Sequence, residues 1–189
     1  GIGRTPDLLL KALASGAAAA AAADVSPYFS KEEARKLGID YRLYDGRHLP
    51  WKDGSFDAAW TWDVLQHVRN PGVVLREIVR VLSPGGLFLC RIDLRDHYHL
   101  ADKNHWLDCF SYGESLWNAM TSNRSSYVNR LRLSGWKKLF AEYGFETKVL
   151  LLDEDFSLLA SREGKPLLEK LPEEDVRCWR LRAVLKKTG

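Results

Sequence analysis

The chain has 189 residues, with 28 basic and 25 acidic side chains and a formal net charge of +3. Its composition, 46% hydrophobic and 28% charged, is that of a globular protein and excludes a disordered or collagen-like chain. No apolar run approaches the ~20 residues that a membrane-spanning helix requires. We therefore expect one globular domain over residues 1–189.

The first part of the chain alternates helix and strand patterns. Residues 5–15 begin with Thr-Pro, which is typical of a helix start, and end with Ser-Gly. An unbroken alanine run at 17–23 leads to Asp24 and predicts a short strand, with a helical or low-complexity segment as the alternative. Residues 30–33 are a capping box that starts a second helix. Residues 39–44 then predict a strand.

The same alternation continues through the middle of the chain. Residues 56–62 are apolar enough for a buried strand, residues 70–82 have helical apolar spacing, and residues 87–93 predict another strand. Strands and helices in this order, with short connections, predict a parallel sheet with helices on both faces. Because such sheets bind ligands at the carboxyl ends of their strands, functional residues are expected just after each strand.

The second half has a different pattern. Residues 94–134 carry no clear strand and are rich in His, Asp, Asn and aromatic residues. Ser134 is predicted to cap a helix, and residues 145–152 to form a strand. Residues 179–186 alternate between apolar and basic side chains, which indicates a half-exposed strand that is antiparallel to its neighbour or at a sheet edge.

A glycine pair and an acid at the start of the chain are typical of nucleotide binding. Gly1 and Gly3 precede the first predicted helix, and Asp24 follows ~20 residues later. Glycines let the backbone approach a ligand closely, and the acid accepts hydrogen bonds from ribose hydroxyls. Two glycines at the start of a chain are equally compatible with no such role.

Four motifs follow in order: DGRHLPW at 45–51, DGSFD at 53–57, DVLQHV at 63–68 and REIVRVLSPGG at 76–86. Together they resemble the class I S-adenosylmethionine (SAM)-dependent methyltransferases, over about residues 1–93. The resemblance implies an α/β fold with a Rossmann-like, doubly wound, mostly parallel seven-stranded sheet, an antiparallel C-terminal strand and a helical lid insertion at 94–134. It also implies that the sequence begins inside the family's glycine motif, with the family's mid-sheet first strand missing.

The resemblance assigns cofactor-binding roles to residues near predicted strand ends, and the cofactor is SAM. Asp24 would hold the ribose hydroxyls and Asp45 would contact the adenine amino group. Thr61 and Trp62 would face the methyl group. The complete set predicted to bind the cofactor is Gly1, Gly3, Asp24, Asp45, Gly46, Thr61 and Trp62.

Methyl transfer depends mainly on alignment of the acceptor with the methyl group, and a hydroxyl acceptor also needs a base within hydrogen-bonding reach. The predicted catalytic residues are Asp63, His67 and His97, with His99 as a further candidate. Each has a structural alternative, since Asp63 can cap a helix, His67 can orient a loop and His97 can lie in a solvated loop. Histidines 97, 99 and 105 fit no metal-binding spacing, so no metal site is predicted.

We therefore expect a SAM-dependent methyltransferase acting on a small polar acceptor, with a sugar hydroxyl as one candidate. Two alternatives stay open: an RNA methyltransferase that uses the basic residues of 177–187, and a non-catalytic subunit that binds the cofactor. A net charge of +3 is weak evidence for nucleic acid, which is not the expected partner.

Three widely spaced cysteines form neither a CxxC pair nor a disulfide framework, and they predict a reducing compartment, the cytoplasm.

Overall fold

A computed structural model of the chain describes residues 6–97, 106–122, 127–161 and 164–189. Its first half alternates helices and strands as predicted: α1 Asp7–Ala14, β1 Ala20–Asp24, α2 Lys31–Lys36, β2 Ile39–Leu43, β3 Phe56–Trp62, α3 Pro71–Val81 and β4 Leu82–Asp93. A short 3-10 turn, Leu65–His67, connects β3 to α3.

The second half adds short helices and two long strands. These elements are a 3-10 turn Asp108–Ser111, α4 Glu114–Thr121, α5 Leu133–Glu142, β5 Phe145–Glu154, α6 Ser157–Ala160, α7 Gly164–Leu168, α8 Glu173–Arg177 and β6 Cys178–Lys187. Within the residues described, every helix is too short or too polar to cross a lipid bilayer.

The strands form two sheets. β1 and β2 pair in parallel. The second sheet has the order β3-β4-β6-β5, in which β3 and β4 are parallel and β6 is antiparallel to both of its neighbours. The predicted α/β fold with an antiparallel C-terminal strand is confirmed, whereas the alternative that this strand lies at a sheet edge is wrong.

The sheet implied by the resemblance is continuous and seven-stranded, but the described residues form six strands in two sheets. The break lies between β1 and β3, because neither strand has a hydrogen-bonded neighbour on that side among the described residues. The two sheets therefore present unpaired edges at the break.

Residues 20–23 of the alanine run form part of strand β1, as predicted. Alanine has little preference for strands, so neighbouring segments must supply the stability. Ala20 pairs with Ile39, and Asp24 pairs with Leu43. Ala20 and Ile39 are buried in a small core with Leu9 of α1 and Ala34 of α2.

The main core lies on one face of the second sheet, where α3 and α5 pack against β4 and β6. Phe88 and Ile92 of β4 are fully buried there with Trp136 of α5. The opposite face carries exposed apolar side chains: Leu87, Leu89, Val149 and Leu151.

The helix predicted to be capped by Ser134 begins at Leu133, with Arg132 at its N-cap position. Ser134 does not cap it, because the Ser134 hydroxyl donates to the Asp175 carboxylate at 2.5 Å. The described part of 94–134 contains a 3-10 turn and α4, and its role as a lid stays a prediction.

Candidate functional site

A cavity of about 1010 Å³ lies at the break between the two sheets, lined by residues of both β1 and β3. Its wall also includes residues that follow the carboxyl ends of β1, β2 and β3. Predicted site residues that line it are Asp24, Gly46, Thr61, Trp62, Asp63 and His67. The structure thus brings to one cavity predicted site residues that lie up to 43 positions apart in the sequence.

Asp24 is the buried carboxylate of this cavity, with 5% of its surface exposed. One of its oxygens accepts a hydrogen bond from the Ser26 N–H at 3.3 Å. No ion pair to Asp24 is present among the described residues. Burial, followed by the charge of Asp24, raises the pKa of Tyr44. A buried carboxylate with unused acceptor capacity suits a ligand that presents hydroxyl donors, so this residue fits the ribose of SAM.

Asp45 and Gly46 follow β2 but differ in position. Asp45 is exposed and does not belong to the cavity wall. One of its oxygens accepts hydrogen bonds from the N–H groups of His48 and Arg47, both at 2.8 Å, and these bonds lower the pKa of Asp45. Gly46 lines the cavity with φ of 78°, a left-handed conformation that favours glycine.

Trp62 is the last residue of β3 and Asp63 follows it, and both lie next to Arg91 of β4. Asp63 has φ of 53°, and its N–H donates to the Arg91 carbonyl at 3.0 Å. Its carboxylate accepts two hydrogen bonds from the Arg91 guanidinium, which also lies 4.3 Å from the Trp62 ring centroid. Asp63 is not the N-cap of the following turn, a position that Val64 occupies. Its charge is therefore neutralised by an ion pair that also packs against Trp62.

His67 and His97 lie together, with ring centroids 4.9 Å apart. His67 Nδ1 lies 2.7 Å from the Tyr127 carbonyl oxygen. Burial, followed by the nearby His67, lowers the pKa of His97. His97 Nε2 and the Thr61 hydroxyl are buried without a hydrogen-bond partner in the described part of the chain. Two histidine rings, one of them with an unused Nε2, and the unused Thr61 hydroxyl are thus close to the end of β3.

Four of the residues considered in the sequence analysis are not among those that the structure describes. Gly1, Gly3, His99 and His105 are outside the described residues. No group of three or more His, Cys, Asp or Glu side chains in residues 6–97, 106–122, 127–161 and 164–189 is arranged to hold a metal ion.

Sequence reasoning missed several contributors. Tyr28, Tyr44 and Trp51 form an aromatic part of the cavity wall. Arg91 could have been noticed as a charge inside an apolar strand, which commonly indicates a paired residue. Asn129, which contacts the turn that carries His67, was not assigned a role at the site from the sequence.

Sequence comparison identifies the first half of the chain. Residues 1–90 match the family model described as a methyltransferase domain. Methyltransferase GfsG of Streptomyces halstedii is 38% identical over 61 residues, which are 30% of this chain and 22% of that protein. The ubiquinone/menaquinone biosynthesis C-methyltransferase UbiE of Desulfotalea psychrophila is 40% identical over 63 residues, 31% of this chain and 26% of that protein. The matches thus span about a quarter of the length of these curated relatives.

The fold extends the similarity to the whole chain. A SAM-dependent methyltransferase from Mesorhizobium loti superimposes with a TM-score of 0.65 at 17% identity, covering 99% of this chain and 88% of that one. Another from Methanosarcina mazei has a TM-score of 0.62 at 15% identity, with 100% and 90% covered. These likenesses confirm the Rossmann-like fold class. Residues 1–90 therefore match a methyltransferase domain, as the motifs predicted, and the solved structures that share the fold include SAM-dependent methyltransferases, which points to SAM as the cofactor.

Proposed function

We propose that the protein binds SAM in the cavity between β1 and β3 and methylates a small polar acceptor. The observation that carries this proposal is the meeting of Asp24, Gly46, Trp62 and His67 at that one cavity in a chain with a methyltransferase domain. SAM supplies an electrophilic methyl group on a sulfonium when it is bound. The chain itself holds the cofactor, orients the acceptor and takes up the proton that the acceptor releases.

Each proposed role follows from the local chemistry. Asp24 accepts hydrogen bonds from ribose hydroxyls, since it is buried and has no ion pair in the described part. Trp62, 46% exposed and lining the cavity, faces the positively charged donor with its ring. Asp45 keeps one oxygen free of the turn and is proposed to contact the adenine amino group. Gly1 and Gly3 stay assigned to the cofactor by the family resemblance alone.

A polar acceptor, with a sugar hydroxyl as the candidate, is supported by the groups beside the cavity. His67 and His97 offer nitrogen bases, and the Thr61 hydroxyl is an unused hydrogen-bonding group. The relatives do not define the acceptor, because their names include a C-methyltransferase, a norajmaline N-methyltransferase and a 27-O-demethylrifamycin SV methyltransferase. We propose the described part of 94–134 as the lid over the acceptor.

Calorimetric titration with SAM tests the proposal. We expect binding by the protein, and about tenfold or more weaker binding by Asp24→Ala, since a hydrogen bond to a charged group contributes about 1.5–3 kcal/mol. Asp57→Ala is the matched control, because Asp57 is an exposed carboxylate at the opposite end of β3. Absence of SAM binding, or equal affinity of the Asp24 and Asp57 variants, would contradict the proposed site.

A cofactor-binding partner subunit is the second candidate. One structural neighbour, 19% identical with a TM-score of 0.61, was solved as a complex between the Haloferax volcanii Trm112 methyltransferase activator and a methyltransferase. SAM binding without turnover of any acceptor by the isolated protein would favour this candidate.

The RNA alternative loses support because three of its five basic residues are already in ion pairs. Arg177 contacts Glu154 and Glu173, and Arg180 and Arg182 both contact Asp153.

We propose a cytoplasmic location on the basis of the cysteines. Cys90, Cys109 and Cys178 are all buried and none forms a disulfide. This state fits a reducing compartment.

A further inference from the structure

The turn that carries His67 is held in place by one distant residue, Asn129. The Asn129 amide donates to the Leu65 carbonyl at 2.9 Å and to the Val68 carbonyl at 3.0 Å. The Asn129 backbone N–H also donates to the Gln66 carbonyl at 2.9 Å. Three carbonyls around His67 are therefore satisfied by a residue more than sixty positions away.

The same distant segment contacts the His67 ring directly. The Tyr127 carbonyl oxygen lies 2.7 Å from His67 Nδ1. A carbonyl oxygen can only accept, so Nδ1 must carry the hydrogen of this bond. In the neutral ring, Nε2 then has the free electron pair. Arg69 holds Tyr127 from the other side, with its guanidinium carbon 4.2 Å from the tyrosine ring centroid.

We propose that Asn129 is a positioning residue that, together with the Tyr127 carbonyl, fixes His67 as a base acting through Nε2. The inference rests on the proposed function and adds a class of acceptor to it. Nε2 takes the proton that the acceptor releases, and the ring becomes an imidazolium. Such a base serves acceptors whose nucleophilic atom bears a removable proton, a hydroxyl or an acidic carbon, and gives no advantage to a carboxylate.

His97 supports this arrangement. Its ring packs against that of His67, and its burial favours the neutral form. A neutral neighbour does not repel the charge that His67 gains.

Nitrogen-15 NMR of the histidine rings tests the proposal without any acceptor. The full-length protein is labelled and measured at mildly alkaline pH, where histidine side chains are neutral. His67→Asn identifies the His67 signals among the five histidines. We expect Nδ1 of His67 to show the shift of a protonated nitrogen and Nε2 that of an unprotonated one.

Asn129→Asp removes both donors while keeping the size of the side chain. We expect the two His67 shifts to move toward each other, as in a mixture of tautomers. Asn118→Asp, an exposed position on α4, makes the same charge change and should leave the shifts unaltered. Asn129→Ser is the milder variant if the aspartate disturbs folding, and the wild-type spectrum tests the His67 tautomer without either variant.

Protonation of His67 at Nε2 in the wild type would overturn the proposal, as would unchanged shifts in both Asn129 variants. The outcome of the SAM titration is independent of the outcome of the NMR experiment. Loss of SAM binding with the expected tautomer would refute the proposed function but not the positioning of His67.

Discussion

Two neighbouring residues of α3, Glu77 and Arg80, hold the loop that forms part of the cavity wall. Arg80 donates to the carbonyls of Trp51 at 2.8 Å and Leu49 at 2.9 Å. Glu77 accepts from the Leu49 N–H at 2.8 Å and from the Arg80 guanidinium. Leu49 and Trp51 both line the cavity, so this pair connects helix stability to the shape of the site.

Glu77→Gln should lower stability at neutral pH by about 1–3 kcal/mol, the cost of weakening a largely buried charged hydrogen bond. Hydrogen bonds from Arg80 are the main cause that lowers the pKa of Glu77 below its ordinary value of 4.5. The unfolded state therefore binds the proton more readily than the folded state. The stabilisation is present above pH 4.5 and is lost as the pH falls through the lowered pKa.

Urea unfolding at neutral pH and at a series of pH values below 4.5 measures this effect. The wild type should lose stability over that range more steeply than Glu77→Gln. Glu32→Gln is the control, because the Glu32–Lys36 ion pair is well exposed and contributes little. Parallel acid curves for the wild type and the Glu77 variant would contradict the assignment.

Single residues were predictable where the backbone alone brings them together. Asp24, Asp63 and His67 follow strand ends, and parallel strands place such ends at one edge. Asn129 was not predictable as a site residue. Its contacts depend on how the second half of the chain folds back, which no local spacing encodes.

For the secondary-structure elements too, some features were predictable from the sequence and others were not. β4 is apolar on both faces, yet only the face with Phe88 is covered by helices, whereas Leu89 on the other face is 39% exposed. The alternating pattern that identifies a half-buried strand is absent here. The sequence therefore predicts the strand but not which face is buried.

Phe88→Ala should destabilise the protein by about 3–5 kcal/mol, because a fully buried ring leaves a cavity. Leu89→Ala should change stability by only about 0.5 kcal/mol, as expected for a partly exposed site. Denaturant unfolding of both variants makes the comparison within one strand. Equal losses would mean that the face carrying Leu89 is covered in the folded protein.

At the scale of the whole molecule, Arg132 joins three separate parts of the chain. It is 4% exposed, and it donates to the carbonyls of Leu94, Asp175 and Cys178. Leu94 follows β4, Asp175 lies in α8, and Cys178 is the first residue of β6. Burial lowers the pKa of Arg132 to about 10, so the guanidinium still carries its charge at neutral pH.

Arg132→Met should therefore cost about 3 kcal/mol or more, since it leaves several buried carbonyls without a donor at about 1–3 kcal/mol each. Arg177→Met, which removes only partly exposed ion pairs, should cost about 0–1 kcal/mol. Thermal and urea unfolding of the two variants distinguish the roles. Similar stability of both would show that Arg132 does not hold the fold together.

The family motifs were sufficient to predict the α/β class, but not the break between β1 and β3 or the place of β6 inside its sheet. Strand order depends on pairing between distant segments, and the residues of β6 read equally well as an edge strand. The alternation of apolar and basic side chains in β6 reports which side is buried and not which strands are its neighbours.

The contacts of Arg132 and Asn129 have a consequence for exchanging parts between related proteins. Segment 94–134 is tied to β6 by Arg132, which donates to the Cys178 carbonyl, and to the His67 turn by residues 127–129. A chimera that imports this stretch from a relative to change acceptor preference would also replace the groups that orient the imidazole. Such a graft should end before Tyr127, so that the His67 imidazole keeps its orientation toward the new acceptor.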